Sequence, residues 1–337
     1  GASWVLSGKN TLSGGVTLAN DSTLRVSGTL SLNGSLAAYG TLINSGKIIT
    51  ADVYLPDGGG LTNLSGGTII GTAIGVTVAG GPGTVVNAGS ISGSAYAILL
   101  AAGYANRVVL DPGAKFTGIV SGGNSVAAPV ASTLELASGS GVAVLGGLAT
   151  RFVDFAAITV DASASWTLAT GNTVGSDIAL INAGRLSGVD GSYGDAGGAG
   201  LYLGDGGSFS NSGTIAGGAA GYGAGPTAGA GGVGVYLAAG GRLSNSGTIA
   251  GGTGGGSNYT DGSGGTGGTG VSVAGGSVSN SGAIAGGAGG YSSNSSKGIG
   301  GIGGAGVSVA AGSLSNSGTI VGGAGGYGIR PSGGRGG

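Results

Sequence analysis

Apolar residues in this chain alternate with small or polar ones, and they do so in short bursts. Val16-Thr17-Leu18, Leu24-Arg25-Val26, Leu30-Ser31-Leu32 and Leu42-Ile43-Asn44 each send every second side chain to one side. Leu36 stands between these bursts, and Asn44-Ser45-Gly46-Lys47-Ile48 closes the series. A period of two is the signature of a strand with one face turned inward. None of these segments has the i, i+3, i+4 spacing of an amphipathic helix. Polar or glycine breaks return every six to eight residues, which predicts three short strands per turn of a larger winding.

From residue 201 the bursts become a repeat. Asn-Ser-Gly-x-Ile stands at Asn211–Ile215, Asn245–Ile249, Asn280–Ile284 and Asn316–Ile320, in steps of 34, 35 and 36 residues. Each copy follows an alternating triplet: Leu201-Tyr202-Leu203, Val235-Tyr236-Leu237, Val271-Ser272-Val273 and Val307-Ser308-Val309. A fixed period of this size marks a solenoid. Within a copy, Val278, Asn280, Gly282 and Ile284 share one parity, so the asparagine points inward with the aliphatics. One coil cannot bury its own apolar face, whereas stacked coils pair as parallel strands about 4.8 Å apart and close a core. The predicted fold is all-β, a right-handed parallel β-helix (β-solenoid) with glycine-rich loops inserted per coil in the C-terminal half. At roughly 25–35 residues per coil it holds about 10–14 coils in a rod of roughly 50–65 Å.

Looser copies at Asn87-Ala88-Gly89-Ser90-Ile91 and Asn182-Ala183-Gly184-Arg185-Leu186 carry the signal along the whole chain. The organisation expected is one continuous solenoid in three stretches: short coils over 1–103, bulkier and less regular coils over 104–186, and 34–36-residue repeats with glycine-rich spacers over 187–337. The Ile-to-triplet gap grows through 20, 22 and 23 residues while the coil body stays at 9 or 10 from triplet to Asn. The spacers therefore read as insertions on one face, often the binding face of a solenoid. Loop length is thermodynamically cheap, so shortening the spacer 287–304 is expected to spare folding.

Composition narrows the function. The 89 glycines among 337 residues show no Gly-X-Y period and come with only 6 prolines, which excludes collagen; 40% hydrophobic residues in regular alternation argue against disorder. A net charge of −1 without a Lys/Arg cluster gives no footprint for nucleic acid or acidic lipid. No apolar run reaches 18 residues. The absence of cysteine suits an exported chain. The chain ends inside a glycine spacer, as a segment of something longer would.

The bulky block between 104 and 170 carries a resemblance. Val109-Leu110-Asp111-Pro112-Gly113-Ala114-Lys115-Phe116, Thr133-Leu134-Glu135-Leu136-Ala137-Ser138-Gly139, the run from Phe152 through Phe155 to Ile158-Thr159-Val160-Asp161-Ala162, and Trp166-Thr167-Leu168 stand beside the Asn-Ser-Gly-x-Ile repeats. Together they resemble autotransporter (type V secretion) passenger domains and related glycine-rich adhesins of Gram-negative bacteria. The resemblance implies a β-helical passenger that is extracellular, at the bacterial cell surface. It also implies an outer-membrane β-barrel translocator, whose strands this segment does not contain. The partners it implies are host or bacterial surface glycans or proteins, or other copies of the chain.

Candidate chemistry is sparse. Asn211, Asn245, Asn280 and Asn316 superpose if the coils stack, and are expected to form a structural amide ladder. The spacer tyrosines Tyr222, Tyr259, Tyr291 and Tyr327 are the candidate binding residues, since tyrosine offers amphipathic contact area at low entropy cost; packing on the neighbouring glycines is the competing role. Glycoside hydrolysis needs two placed carboxylates, and the concentrations are Asp154 with Asp161, and Asp190 and Asp195 with Asp205. With no histidine there is no Ser-His-Asp triad and no usual zinc ligand. No catalytic residues, no metal site and no cofactor are assigned: Asp does not recur at the nine-residue spacing of a calcium β-roll, and no phosphate loop is present. The leading reading is a non-enzymatic stem for adhesion, aggregation or biofilm. A self-assembling filament subunit is the second reading, and a polysaccharide-active β-helix enzyme the third.

Overall fold

The computed structural model describes residues 3–13, 17–140, 143–170, 172–223, 225–259, 261–293, 298–328 and 335–337. It is all-β: short strands in parallel register, coil upon coil, form a β-helix. Two compact units divide the chain, one of Gly1–Gly141 with Ala149–Thr159, the other of Val142–Leu148 with Val160–Gly337.

In the first unit one face is built from Ser3–Leu6, Thr23–Val26, Thr41–Asn44, Gly59–Asn63, Gly83–Asn87, Arg107–Leu110 and Thr133–Leu136, each paired parallel to the next. Thr23 pairs with Thr41 and Arg107 with Thr133, so coils take 18 to 26 residues. These coils are shorter than expected because tight corners join their strands directly. Two further faces run beside the first and meet in the 11-residue strand Ser90–Leu100. The inward parity fills the interior with Leu24, Leu42, Leu61, Val85, Val108 and Leu134, all buried. Burying a side chain of this size is worth about 1.5–3 kcal/mol. Phe116 and Phe152 meet edge to face at 5.6 Å where the coils become bulkier.

The second unit repeats three strands per coil without register shifts. Ser208–Asn211, Arg242–Asn245, Ser277–Asn280 and Ser313–Asn316 follow Ala179–Asn182 on one face. Thr214–Ala216, Thr248–Ala250, Ala283–Ala285 and Thr319–Val321 form the second. Leu201–Leu203, Val235–Leu237, Val271–Val273 and Val307–Val309 form the third. Phe209, Leu243 and Val278 meet Ile215, Ile249 and Ile284 inside.

The inward asparagines hydrogen-bond up the stack. Asn182 Nδ2 donates to Asn211 Oδ1 at 2.8 Å, and Asn211, Asn245 and Asn280 each donate to the next Oδ1 at 2.7 Å. Each Nδ2 also reaches the carbonyl two residues on, as Asn245 does with Gly247 O at 3.3 Å. Buried amides need such partners, because a lost one leaves the full desolvation cost. The first unit has its own ladder, Asn44 to Asn63 to Asn87, with both steps at 2.8 Å. It stops there because the residue stacked on Asn87 is Leu110. The glycine of Asn-Ser-Gly has a steric cause: a Cβ at Gly247 would lie 2.1 Å from the carbonyl oxygen of Gly213 in the coil before.

The glycine spacers depart most from expectation, for they are not loops. After Thr214–Ala216 the chain runs out through 217–223, turns, and returns through 228–234 into Val235–Leu237. Outgoing arms of successive coils bond at every third residue: Gly217 N–H to Ala250 O, Ala220 to Thr253, Gly223 to Gly256. Returning arms do the same, with Ala228 to Ser263, Gly231 to Thr266 and Gly234 to Thr269. A second set crosses between the two layers. Gly218 donates to Gly198 O, Gly232 to Gly218, Gly252 to Gly232, Gly268 to Gly252 and Gly287 to Gly268, at 2.7–2.9 Å. The three-residue period matches the turn of a polyproline II-type helix.

Room, not a special dihedral, makes these residues glycine. A Cβ at Gly252 would stand 1.9 Å from Gly218 O, and one at Gly268 would stand 1.9 Å from Gly232 O. Neither has a positive φ. As on a collagen axis, only glycine lets the backbones approach. The third residue of each triplet carries its side chain outward, as Thr253, Ala230, Thr266 and Ile302 do. The expectation that the spacers are inserted loops open to shortening is therefore corrected: the arms supply hydrogen-bond partners to their neighbours in adjacent coils.

Asn245→Leu is expected to destabilise the protein by about 1–3 kcal/mol, since Asn211 loses its acceptor and Asn280 its donor. Gly252→Ala is expected to cost about 1–3 kcal/mol by overpacking the arms. Thr253→Ala, one residue along on the exposed side, should stay within about 0.5 kcal/mol. Denaturant melts of the three variants beside the parent check both expectations; equal midpoints would refute the ladder and the close-packed arms.

Candidate binding surface

The arms determine where the spacer tyrosines stand. Parallel bridges join Gly223 to Ser257 and Ser257 to Ser292, which puts Tyr222, Gly256 and Tyr291 in one column. Ser292 N–H donates to Tyr327 O at 2.9 Å and adds Tyr327 to it. Tyr222 and Tyr291 belong to coils two apart, yet their rings meet edge to face at 5.6 Å. They meet over Gly256, whose Cβ would lie 2.8 Å from the Tyr291 ring. Such a pair is worth about 0.5–1.5 kcal/mol beyond its buried area. Tyr327 is far more open, at 77% exposure.

Tyr259 is not in this column. It lies three residues beyond Gly256, in the turn at the end of its arm, where its carbonyl accepts from Gly262 N–H at 2.9 Å. Ser257 Oγ accepts from Tyr259 N–H at 3.3 Å. The structure thus brings together three of the four spacer tyrosines and sets the fourth at an arm tip. Tyr222 and Tyr291 support each other, and all four remain exposed.

A tighter aromatic pair lies on the outer side of the triplet strands. Tyr202 and Tyr236 are direct register partners, their rings stacked at 4.7 Å with 14° between planes. The alternating triplets hold the signal for this: Tyr is the middle, outward residue of two consecutive copies. Around a corner, a shallow trough of about 520 Å³ runs over the Asn-bearing strands. Ser208, Ser210, Ser244, Ser277, Ser279 and Arg242 are among its lining residues.

The carboxylates occupy turns. Asp154 adopts φ 61° at a corner and accepts a hydrogen bond from Ser121 Oγ at 2.7 Å. Asp161 falls in the other compact unit, where its carbonyl accepts from Ala164 N–H at 3.0 Å. Asp190 Oδ1 accepts from Ala219 N–H at 2.8 Å, tying an arm to its predecessor. The Asp195 carbonyl accepts from Gly221 N–H, and Asp205 sits exposed in the turn after Leu203. Among the described residues no group of three or more Asp and Glu is placed to hold a metal ion. Asp111 has its pKa raised, first by burial and then by the negative charge of Glu135. Glu135 itself is paired with Arg107.

Comparison with known proteins finds no family model, no curated protein and no solved structure that matches this chain.

A raised carboxyl pKa means that the folded chain holds a proton which the unfolded chain has released. Stability from Asp111 therefore falls as pH climbs from its ordinary value through the raised one, and the penalty stays at neutral pH. Asp111→Asn is expected to match the parent in acid and to exceed its stability at neutral pH. Denaturant midpoints at pH 3 and pH 7 test this; an unchanged difference between the two proteins across that range would contradict it.

Proposed function

We propose that this chain is a non-catalytic β-helical stem that displays a repeated surface for adhesion or aggregation outside a Gram-negative cell. The observation that carries the reading is the double layer of glycine arms built onto the coils of the second unit. Every arm is tied to its neighbours through the backbone, so the outward third residues and the tyrosines are held in fixed, repeated positions. A repeated array of weak contacts gains strength by multivalency, which suits attachment to a surface better than capture of one small molecule. The adhesin-like sequence blocks support the same reading. It implies export, a translocating β-barrel outside this segment, and glycans, surface proteins or like chains as partners.

Beads coated with the purified chain are expected to adhere to bacterial or host-cell surfaces, or to clump with one another, increasingly with coating density. Gly252→Ala together with Gly268→Ala, which unsettle the arms, should weaken attachment at least several-fold. Coated beads that behave like bare ones at every density would overturn the proposal.

A further inference from the structure

The stacked pair Tyr202–Tyr236 belongs to a column that ends abruptly. In register down this face stand Thr173, Tyr202, Tyr236, Ser272 and Ser308. The 4.7 Å between ring centroids nearly equals the spacing of paired strands, about 4.8 Å. The rings therefore lie one above the other along the coil stack, with 14° between their planes. One face of Tyr236 is covered by Tyr202. Its other face looks toward the next coil, where the residue is serine.

Two consecutive serines leave a step beside an aromatic wall. Its floor carries the Ser272 and Ser308 hydroxyls, neither of which bonds to a side chain or carbonyl among the described residues, while Tyr236 and Ser272 are half-buried and Ser308 is exposed. Three residues earlier in the same coils stand Val233, Thr269 and Ala305, joined in register by Gly200 N–H to Val233 O, Gly234 to Thr269 and Gly270 to Ala305. No charged residue occupies the column or these neighbouring positions. An aromatic face, with serine hydroxyls beside it and no charge, suits a ring with an apolar C–H face and a hydroxylated edge. An aromatic peptide side chain would use the wall and leave the hydroxyls idle. A charged sugar would find no counter-charge.

We propose that the open end of the Tyr202–Tyr236 stack binds a neutral sugar ring, one pyranose of a surface polysaccharide. The ring continues the stack in the place that a third tyrosine would take. Its C–H face lies on Tyr236, and its hydroxyls exchange hydrogen bonds with Ser272 and Ser308. Tyrosine suits the task because it offers a rigid face at little entropic cost. In giving the adhesive surface a ligand class the site rests on the function proposed above, although sugar binding is measurable by itself.

The test uses the full chain and saturation-transfer NMR with neutral oligosaccharides, a β-linked glucose tetramer and a mannose tetramer, beside a polyuronate of similar length. At least one neutral sugar is expected to receive saturation. Tyr236→Ser should weaken that binding at least tenfold. Ser272→Tyr, which fills the step with protein, should abolish it while leaving the melting temperature at or above that of the parent. Tyr39→Ser, at an exposed tyrosine of the first unit, should leave it unchanged. Absence of neutral-sugar binding, preference for the polyuronate, or binding untouched by Ser272→Tyr would each overturn the site. Bead attachment measured on Ser272→Tyr separates the two proposals. Beads that still attach when the parent binds no sugar leave adhesion standing and remove the site. Parent beads that never attach, beside a chain that binds sugar through Tyr236, do the reverse.

Discussion

Stacking at one fixed spacing governs this structure. Parallel strands in register place each residue directly over its counterpart in the next coil, about 4.8 Å away. Any side chain that recurs with the coil must be compatible with its own copy at that distance. Isoleucine meets isoleucine and leaves no gap. Asparagine meets asparagine with donor toward acceptor, which a buried amide requires. Tyrosine meets tyrosine face to face, as Tyr202 and Tyr236 do. A repeated charge would meet itself, and only 7% of the chain is charged.

The same constraint yields two kinds of interior in the second unit. Inside the coils, alternating aliphatics exclude water and the asparagine ladder runs along one corner. In the arms the described residues form no apolar core. Backbone packs on backbone, and the glycine N–H groups bond alternately along a layer and across to its partner layer. Glycine normally weakens ordered structure, because it gives up the most conformational freedom on folding. Here the density of interchain-like backbone bonds and the closeness of approach offset that cost. The high glycine content is therefore structural material and not a sign of flexibility.

Function follows from what such an array can show to its surroundings. Side chains outside the coils and on every third arm residue are held at repeated positions by a backbone that does not need them for packing. They make distinct patches: the Tyr222–Tyr291 pair over Gly256, the trough that includes Arg242, and the tyrosine stack that stops at Ser272. The last combines an aromatic wall with serine hydroxyls, and for that reason it carries the sugar-binding proposal.

Much of the coil architecture was legible in the residues. Period-two alternation sets strand and facing, and the recurring Asn-Ser-Gly-x-Ile places Asn211, Asn245, Asn280 and Asn316 in one column, because these signals lie within a few residues of chain. Asn63 does not show as a ladder residue in the sequence because its corner, Leu64-Ser65-Gly66-Gly67, holds two more residues than the motif allows, although its amide joins the ladder all the same. Tyr259 matched the other tyrosines by its place in a spacer, while the true register, set by backbone bonds, aligns Gly256 with them. The tertiary structure alone decided that the glycine segments are ordered arms. Their partners lie a full coil away, and glycine has no side chain with which to announce a contact. Sequence determined which way each coil residue faces; only the assembled stack determined what the glycines touch.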